Sequence, residues 1–255
     1  MVLFAAGSHI GLVRHTNQDV FEISEKEGTY PFLIVADGMG GASAGDVASR
    51  MAADTVRRCL LVASANPESD WIEGLRDAVT KANREVWDAA QSNEEYRGMG
   101  TTLVAAIVTH KQVIFAHVGD SRGYLMHINY LKQVTKDHSL VAELVRRGQL
   151  TPDEAANHPQ RNIVTRSLGA ARELAVDMDV LPWNAGDVVL LCSDGLSNLV
   201  SESELLEYLI GLKEARSHDD VQRTVQELID LGLERGAPDN ITLAIAVHNE
   251  GNDAA

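Results

Sequence analysis

TLVAAIVTHKQVIFAHVGDSRGYLMHINYLKQV, residues Thr102–Val134, divides into four short β-type runs: Thr102–Thr109, Val113–Val118, Arg122–Ile128 and Leu131–Val134. Links of only a few residues allow hairpins but no parallel crossover, so this block is expected to form an antiparallel meander. Upstream, Phe32-Leu-Ile-Val-Ala36 reads as a buried strand that stops at Asp37-Gly38. Two helical patterns follow it. The first places Val47, Met51, Thr55, Cys59 and Val62 on one face. The second starts at a Ser69-Asp70 cap and places Ile72, Leu75, Val79, Ala82 and Val86 together. Downstream of the block, 136–170 is polar, with short helices expected around Ser139–Arg147 and after Thr151-Pro152. Strand character returns at Val188–Cys192 and Ile241–Val247, separated by the capping boxes Ser201-x-x-Glu204 and Ser217-x-x-Asp220. The order is not the regular strand–helix alternation of a doubly wound fold. It predicts an α+β chain with antiparallel sheets and helices outside.

The whole chain has 255 residues, enough for one domain with a full core. Its 37 acidic and 22 basic side chains give a net charge of −15, which argues against nucleic acid or an anionic membrane as partner. No apolar stretch approaches the ~18–20 residues that span a bilayer, and Met1-Val2-Leu3-Phe4 carries no basic leader, so export is not expected. Cys59 and Cys192 read as buried thiols of a reducing compartment. Neither has an arginine six positions on, so a Cys-x5-Arg phosphatase loop is absent.

Five aspartates fall at strand ends. Asp37, Asp120 and Asp194 stand at exits, each beside a glycine, while Asp19 and Asp239 stand at entries. In an antiparallel sheet one strand's exit adjoins its neighbour's entry, so all five can meet on one edge. Carboxylates crowded there would repel unless hard divalent cations sit among them, Mg²⁺ or Mn²⁺ for an all-oxygen donor set. The turn Asp37-Gly-Met-Gly-Gly-Ala-Ser-Ala-Gly45 fails as a dinucleotide fingerprint, because Ser43 stands where the third glycine is required. Its glycines fit close approach of the backbone to an ion, with the Gly38 carbonyl as a ligand. Arg14, five residues before Asp19, offers a planar fork suited to a phosphate dianion.

Six segments in order, Arg14-His-Thr-Asn-Gln-Asp19, Asp37-Gly-Met-Gly-Gly41, Gly100-Thr-Thr102, Val118-Gly-Asp-Ser-Arg122, Cys192-Ser-Asp-Gly195 and Asp239-Asn-Ile-Thr242, resemble the motifs of the metal-dependent type 2C Ser/Thr protein phosphatases. The resemblance runs from about Gly7 to Val247. Lys136-Asp-His-Ser-Leu140, Arg147-Gly148 and His158 through Gly169 resemble the flap of the bacterial branch. Membership implies a four-layer αββα sandwich, two antiparallel sheets flanked by helix pairs. The implied organisation is a single catalytic domain over 1–250, a flap over about 136–170 and a short tail at 251–255.

The implied activity is hydrolysis of phosphoserine and phosphothreonine in proteins by in-line attack of a metal-activated water, with no covalent phosphoenzyme. Asp37 then resembles the bridging ligand of two core Mn²⁺ or Mg²⁺ ions, with the Gly38 carbonyl on one ion and Asp194 and Asp239 on the other. Asp19 resembles an acid holding metal-bound water, Arg14 the phosphate clamp, and Asp120 with Asp194 a third, weaker metal site. Met39 replaces the histidine that animal members carry, and a thioether has no proton to give. His138 is read as structural or substrate-contacting, and Ser121, Ser193 and Ser197 as turn residues rather than nucleophiles. The implied partners are phosphoproteins, among them a Hanks-type kinase and its substrates, served by a cytoplasmic monomer without nucleic acid or membrane. Two alternatives stay open: a non-catalytic phosphoprotein-binding relative, and a two-metal hydrolase of a small phosphate ester.

Overall fold

A computed structural model of the chain describes residues 1–24, 30–40, 44–63 and 70–249. Ser69 of the expected helix cap, residues 41–43 of the glycine-rich turn and the expected tail at 251–255 lie outside the described residues. In chain order the elements are β1 (Val2–His9), β2 (Asp19–Ser24), β3 (Phe32–Met39), α1 (Ala44–Ala63), α2 (Trp71–Ser92), β4 (Gly100–Thr101), β5 (Leu103–Val108), β6 (Gln112–Val118), β7 (Arg122–His127) and β8 (Tyr130–Gln133). There follow α3 (Leu140–Arg146), α4 (Pro152–Ala156), β9 (Asp177–Pro182), β10 (Val188–Cys192), α5 (Asp194–Ser197), α6 (Glu202–Ile210), α7 (His218–Glu234) and β11 (Ile241–His248).

Two sheets result, and every pairing in them is antiparallel. One has the order β1-β11-β10-β7-β8; the other is β2-β3-β5-β6-β9, with β4 beside β3. Their facing sides bury Phe4, Leu33, Val104, Phe115, Val189 and Ala246. The outer face of the first sheet packs Tyr124, Leu190 and Ile245 against Leu205 of α6 and Leu228 of α7. The outer face of the second packs Ile34, Leu103 and Ile114 against Val56 of α1 and Val79 of α2. This is the four-layer αββα sandwich, and each central strand is apolar on both faces because both faces are covered.

The capping boxes at Ser201/Glu204 and Ser217/Asp220 open α6 and α7 as expected, and Thr151/Glu154 forms a third at α4. Asp70 caps α2 by accepting from the N–H groups of Ile72 and Glu73. Several expectations are corrected. The four runs of 102–134 are two hairpins rather than one meander: β5 and β6 pair in one sheet, β7 and β8 in the other. The chain crosses between sheets at Gly119-Asp120-Ser121, with Gly119 at φ +110°. A Cβ at Gly119 would lie 2.6 Å from the Thr102 side chain, so only glycine fits this crossing.

Strand β3 does not stop at Asp37. It runs through Gly38 and Met39, which pair with β4. Helix α1 buries Ala48, Ala52, Val56 and Leu60, a face offset by one residue from the expected one, of which Thr55 is buried, Val47, Met51 and Cys59 are half-buried and Val62 is exposed. The alanines let α1 lie close to the sheet and to α2, which packs beside it. Cys192 is buried, but Cys59 is only half-buried. Strand β9, half-exposed at a sheet edge, lacks the apolar run that would announce it.

Candidate active site

The first residue of β2 and the sixth of β3 stand opposite each other in the ladder, which sets Asp19 beside Asp37. Asp194 is the first residue of α5, directly after β10, and Asp239 lies just before β11, the neighbour of β10. Asp120 sits on the crossing between sheets. The structure therefore gathers all five sequence-identified aspartates at one rim of the sandwich, Asp19 and Asp37 from one sheet and Asp194 and Asp239 from the other.

The electrostatics follow from that gathering. Burial pushes the Asp19 carboxyl up to about 7, and Asp194 and Asp239 add to the rise. Burial raises Asp120 to about 7 as well, assisted by Asp194 and Asp137. Asp37 is held well above the usual carboxylate range by desolvation and then by Asp19, Asp194, Asp120 and Asp239 in turn. Asp194 is raised by burial and by Asp239, while hydrogen bonds with Asp37 and Asn198 oppose the shift. Desolvation disfavours each charged form, and like neighbours disfavour it further. Arg14 answers part of this charge: its Nη2 donates to Asp239 Oδ2 at 2.7 Å, a pairing that raises the guanidinium pKa.

Such a donor set fits divalent cations. It is all hard oxygen, partly desolvated and electrostatically frustrated without positive charge. Asp37, Asp194 and Asp239 could hold them, with Asp19 and Asp120 alongside. Gly38 is packed tightly beside Asp37: a Cβ there would meet the Gly45 carbonyl oxygen at 2.1 Å.

Residues that the sequence reading left without a role hold these acids in place. Ser193 Oγ donates to Asp19 Oδ2 at 2.8 Å and accepts from the N–H of Thr242. Thr102 Oγ1 accepts from the N–H of Asp37, and Thr101 Oγ1 donates to the Asp37 carbonyl. Asn240 ties both ends of the loop carrying Arg14 to the Asp239 turn. Its Nδ2 donates to the carbonyls of Ile10 and Thr16, and its Oδ1 accepts from the N–H of Gln18. The available signal was a short polar residue adjoining an acid in three of the quoted motifs.

Ser121 bonds Thr102 at 2.7 Å, and Ser197 Oγ is buried without a partner. His138 is not among the rim acids. It stacks on His117 with ring centroids 4.8 Å apart and accepts from the N–H of Gly119 at Nδ1. Burial first, then His117 and Arg166, hold its pKa down to about 4. His117, His138 and Asp177 bring potential ligand atoms within 4.8 Å of one another, whereas the mutually repelling rim carboxylates do not close to such a cage. A neutral His138 that accepts at Nδ1 carries its proton on Nε2, facing Asp177 at 3.4 Å. The inward ring nitrogens of that trio, His117 Nδ1 and His138 Nε2, are buried without a hydrogen-bond partner among the described residues.

Comparison with known proteins gives a consistent picture. Residues 8–230 match the family model described as protein phosphatase 2C. A serine/threonine phosphatase stp of Listeria monocytogenes is 41% identical over 256 residues, covering 96% of each chain. The crystal structure of serine/threonine phosphatase Stp1 from Staphylococcus aureus is similar with a TM-score of 0.87 at 35% identity, covering 97% of this chain and 95% of that one. The catalytic domain of the serine/threonine phosphatase PstP, solved with two manganese ions, is similar with a TM-score of 0.83 at 34% identity, covering 98% and 99%. No helix among the described residues is long and apolar enough to cross a membrane.

Proposed function

Because this chain belongs to the protein phosphatase 2C family and is a serine/threonine protein phosphatase of bacterial type, we propose that its acidic rim is where phosphoserine and phosphothreonine of proteins are hydrolysed. The observation that carries this is the convergence of five aspartates and one arginine from distant parts of the chain on that rim. Asp37, the Gly38 carbonyl, Asp194 and Asp239 would hold two Mn²⁺ or Mg²⁺ ions, and Asp120 with Asp194 would hold a third, weaker one. Ions bound there supply Lewis acidity for activating water and positive charge to offset that of the phosphate.

The chain's own residues do the rest. Asp19, fixed by Ser193, orients and takes hydrogen bonds from the attacking water. Arg14 exchanges Asp239 for the substrate and clamps its phosphate oxygens with a planar fork. Asn240 keeps the Arg14 loop against the Asp239 turn. Met39 offers no proton to the leaving oxygen. Ser121 and Ser193 are engaged with Thr102 and Asp19, which agrees with direct attack by water and no phosphoserine intermediate. The segment 136–170 acts as a flap over the site. The protein works as a cytoplasmic monomer that reverses a Hanks-type kinase on that kinase and its targets.

The test compares phosphate release from a phosphothreonine peptide and from ATP, each with Mn²⁺, Mg²⁺ or EDTA. The expected result is hydrolysis of the peptide that EDTA abolishes, at least about tenfold above ATP. Hydrolysis unaffected by EDTA, or confined to ATP, would overturn the reading.

A further inference from the structure

Next to the rim, a cleft of about 950 Å³ opens between α3 and α4 on one side and β7, β8 and α5 on the other. Asp120 and Asp194 line it, so it is continuous with the proposed active site. Its lining includes the apolar side chains of Val141, Ala142, Val145 and Ala155, and seven charged ones. Asp120 and Asp194 belong to the rim. Arg122 is engaged with Asp137 through a two-pronged pair, with Nε 3.0 Å and Nη2 2.8 Å from Oδ2. That leaves Lys136, Arg146 and Arg161.

Each of these three is exposed, and none has a carboxylate partner among the described residues. Arg146 donates only to the backbone carbonyl of Asp137, at 3.0 Å. Elsewhere in this acidic chain comparable arginines are matched: Arg50 with Asp46, Arg223 with Asp220 and, next to Arg146 itself, Arg147 with Glu143. Three unmatched cations around one cleft, in a protein of net charge −15, complement an anion brought in from outside.

We propose that this cleft receives an acidic segment of the protein substrate flanking the phosphorylated residue, with Lys136, Arg146 and Arg161 pairing with its carboxylates. The apolar lining takes the stems of the same side chains. This inference rests on the phosphatase reading and names the substrate class that site selects.

The experiment uses the full chain with Mn²⁺ and three phosphothreonine peptides, with glutamates N-terminal to the phosphoresidue, glutamates C-terminal to it, or glutamines on both sides. p-Nitrophenyl phosphate, which has no flanking residues, is the control. The wild type should favour one glutamate peptide over the glutamine peptide by about five- to tenfold in kcat/KM, since each exposed pair contributes about two- to fivefold. Raising salt from about 0.05 to 0.5 M should erase most of that preference. The triple variant K136Q/R146Q/R161Q should lose it while p-nitrophenyl phosphate turnover changes by less than about twofold, and Arg161→Glu alone should reverse part of it. Equal rates on all three peptides, or a preference kept by the triple variant, would overturn the inference while leaving the activity intact. A wild type inactive on every substrate would overturn the phosphatase reading together with it.

Discussion

The two ends of strand β10 each carry a sequestered aspartate, and they are solved differently. At the entry, the side chain of Asp187 is 2% exposed and accepts from the backbone N–H and the amide of Asn184, with His127 Nδ1 2.7 Å away. Every oxygen there faces a donor. At the exit, Asp194 meets Asp37 and Asp239, and the shared hydrogen bond with Asp37, Asn198 and the charge of Arg122 moderate it without cancelling the rise. Burial alone therefore does not mark a functional acid. What marks it is negative charge that the fold brings together and leaves without compensation.

The largest expected effect breaks this comparison if it fails. Asp37→Asn or Asp194→Asn should cut Mn²⁺-dependent hydrolysis by about a thousandfold or more, with far-UV circular dichroism preserved and metal-free stability no lower than that of the wild type. Asp187→Asn should instead leave kcat/KM within about twofold and lower stability by about 1–3 kcal/mol, because it replaces one accepting oxygen of a buried carboxylate with an amide nitrogen that faces a donor. Similar activity losses at both ends of β10 would dissolve the distinction.

The pH dependence of metal-free stability sharpens it. Asp19 and Asp120 titrate near 7 in the folded state but near 3.8 in the unfolded chain, so the folded protein binds more protons between those values. Their contribution is then fully present below about pH 4 and is lost as pH rises through 7, at up to about 1.4 kcal/mol per pH unit for each extra proton. Urea unfolding at pH 5.5, 6.5 and 7.5 (chosen to lie within about the window those shifts define) should show stability falling with pH. The Asp187→Asn variant should keep the slope, and saturating Mn²⁺ should flatten it, adding about 2.7 kcal/mol at a hundred times its dissociation constant.

A smaller effect concerns the Arg14 loop. Arg14→Ala should raise KM for a phosphopeptide about tenfold with kcat little changed, and Asn240→Ala should act in the same direction. If Asn240 works through Arg14, the double variant should be no worse than Arg14→Ala; additive losses would separate them. The smallest change is Ser197→Ala, for which turnover should stay within about twofold. A thousandfold loss there would point to a serine nucleophile instead.

The acids were legible in the sequence because each stands at a strand end beside a turn, and an antiparallel ladder brings exits and entries together. The caps of α6 and α7 were legible because they are local, three residues from hydroxyl to acid. The crossing at Gly119–Ser121 was not. Three residues between two strands look like a hairpin, and β5 and β6 are buried on both faces, so alternation gives no sign of which sheet comes next. The face of α1 was misread because alanines carry little weight in an apolar period, yet they are what lies against the sheet. Asn240, Ser193 and Thr102 act through partners far away in sequence, so no pattern within a window of residues reveals their role.

The rim acids are divided between the two layers of strands, Asp19 and Asp37 on one and Asp194 and Asp239 on the other. Whatever binds all of them is therefore also a rivet across the sandwich. Chelation should loosen the molecule from this end alone, and the far mouth, where Trp183 stacks on His248, should stay clenched when the rivet is pulled. With ions held as proposed, catalytic readiness and mechanical cohesion of the two β layers would be one property, adjustable from outside by the supply of ions.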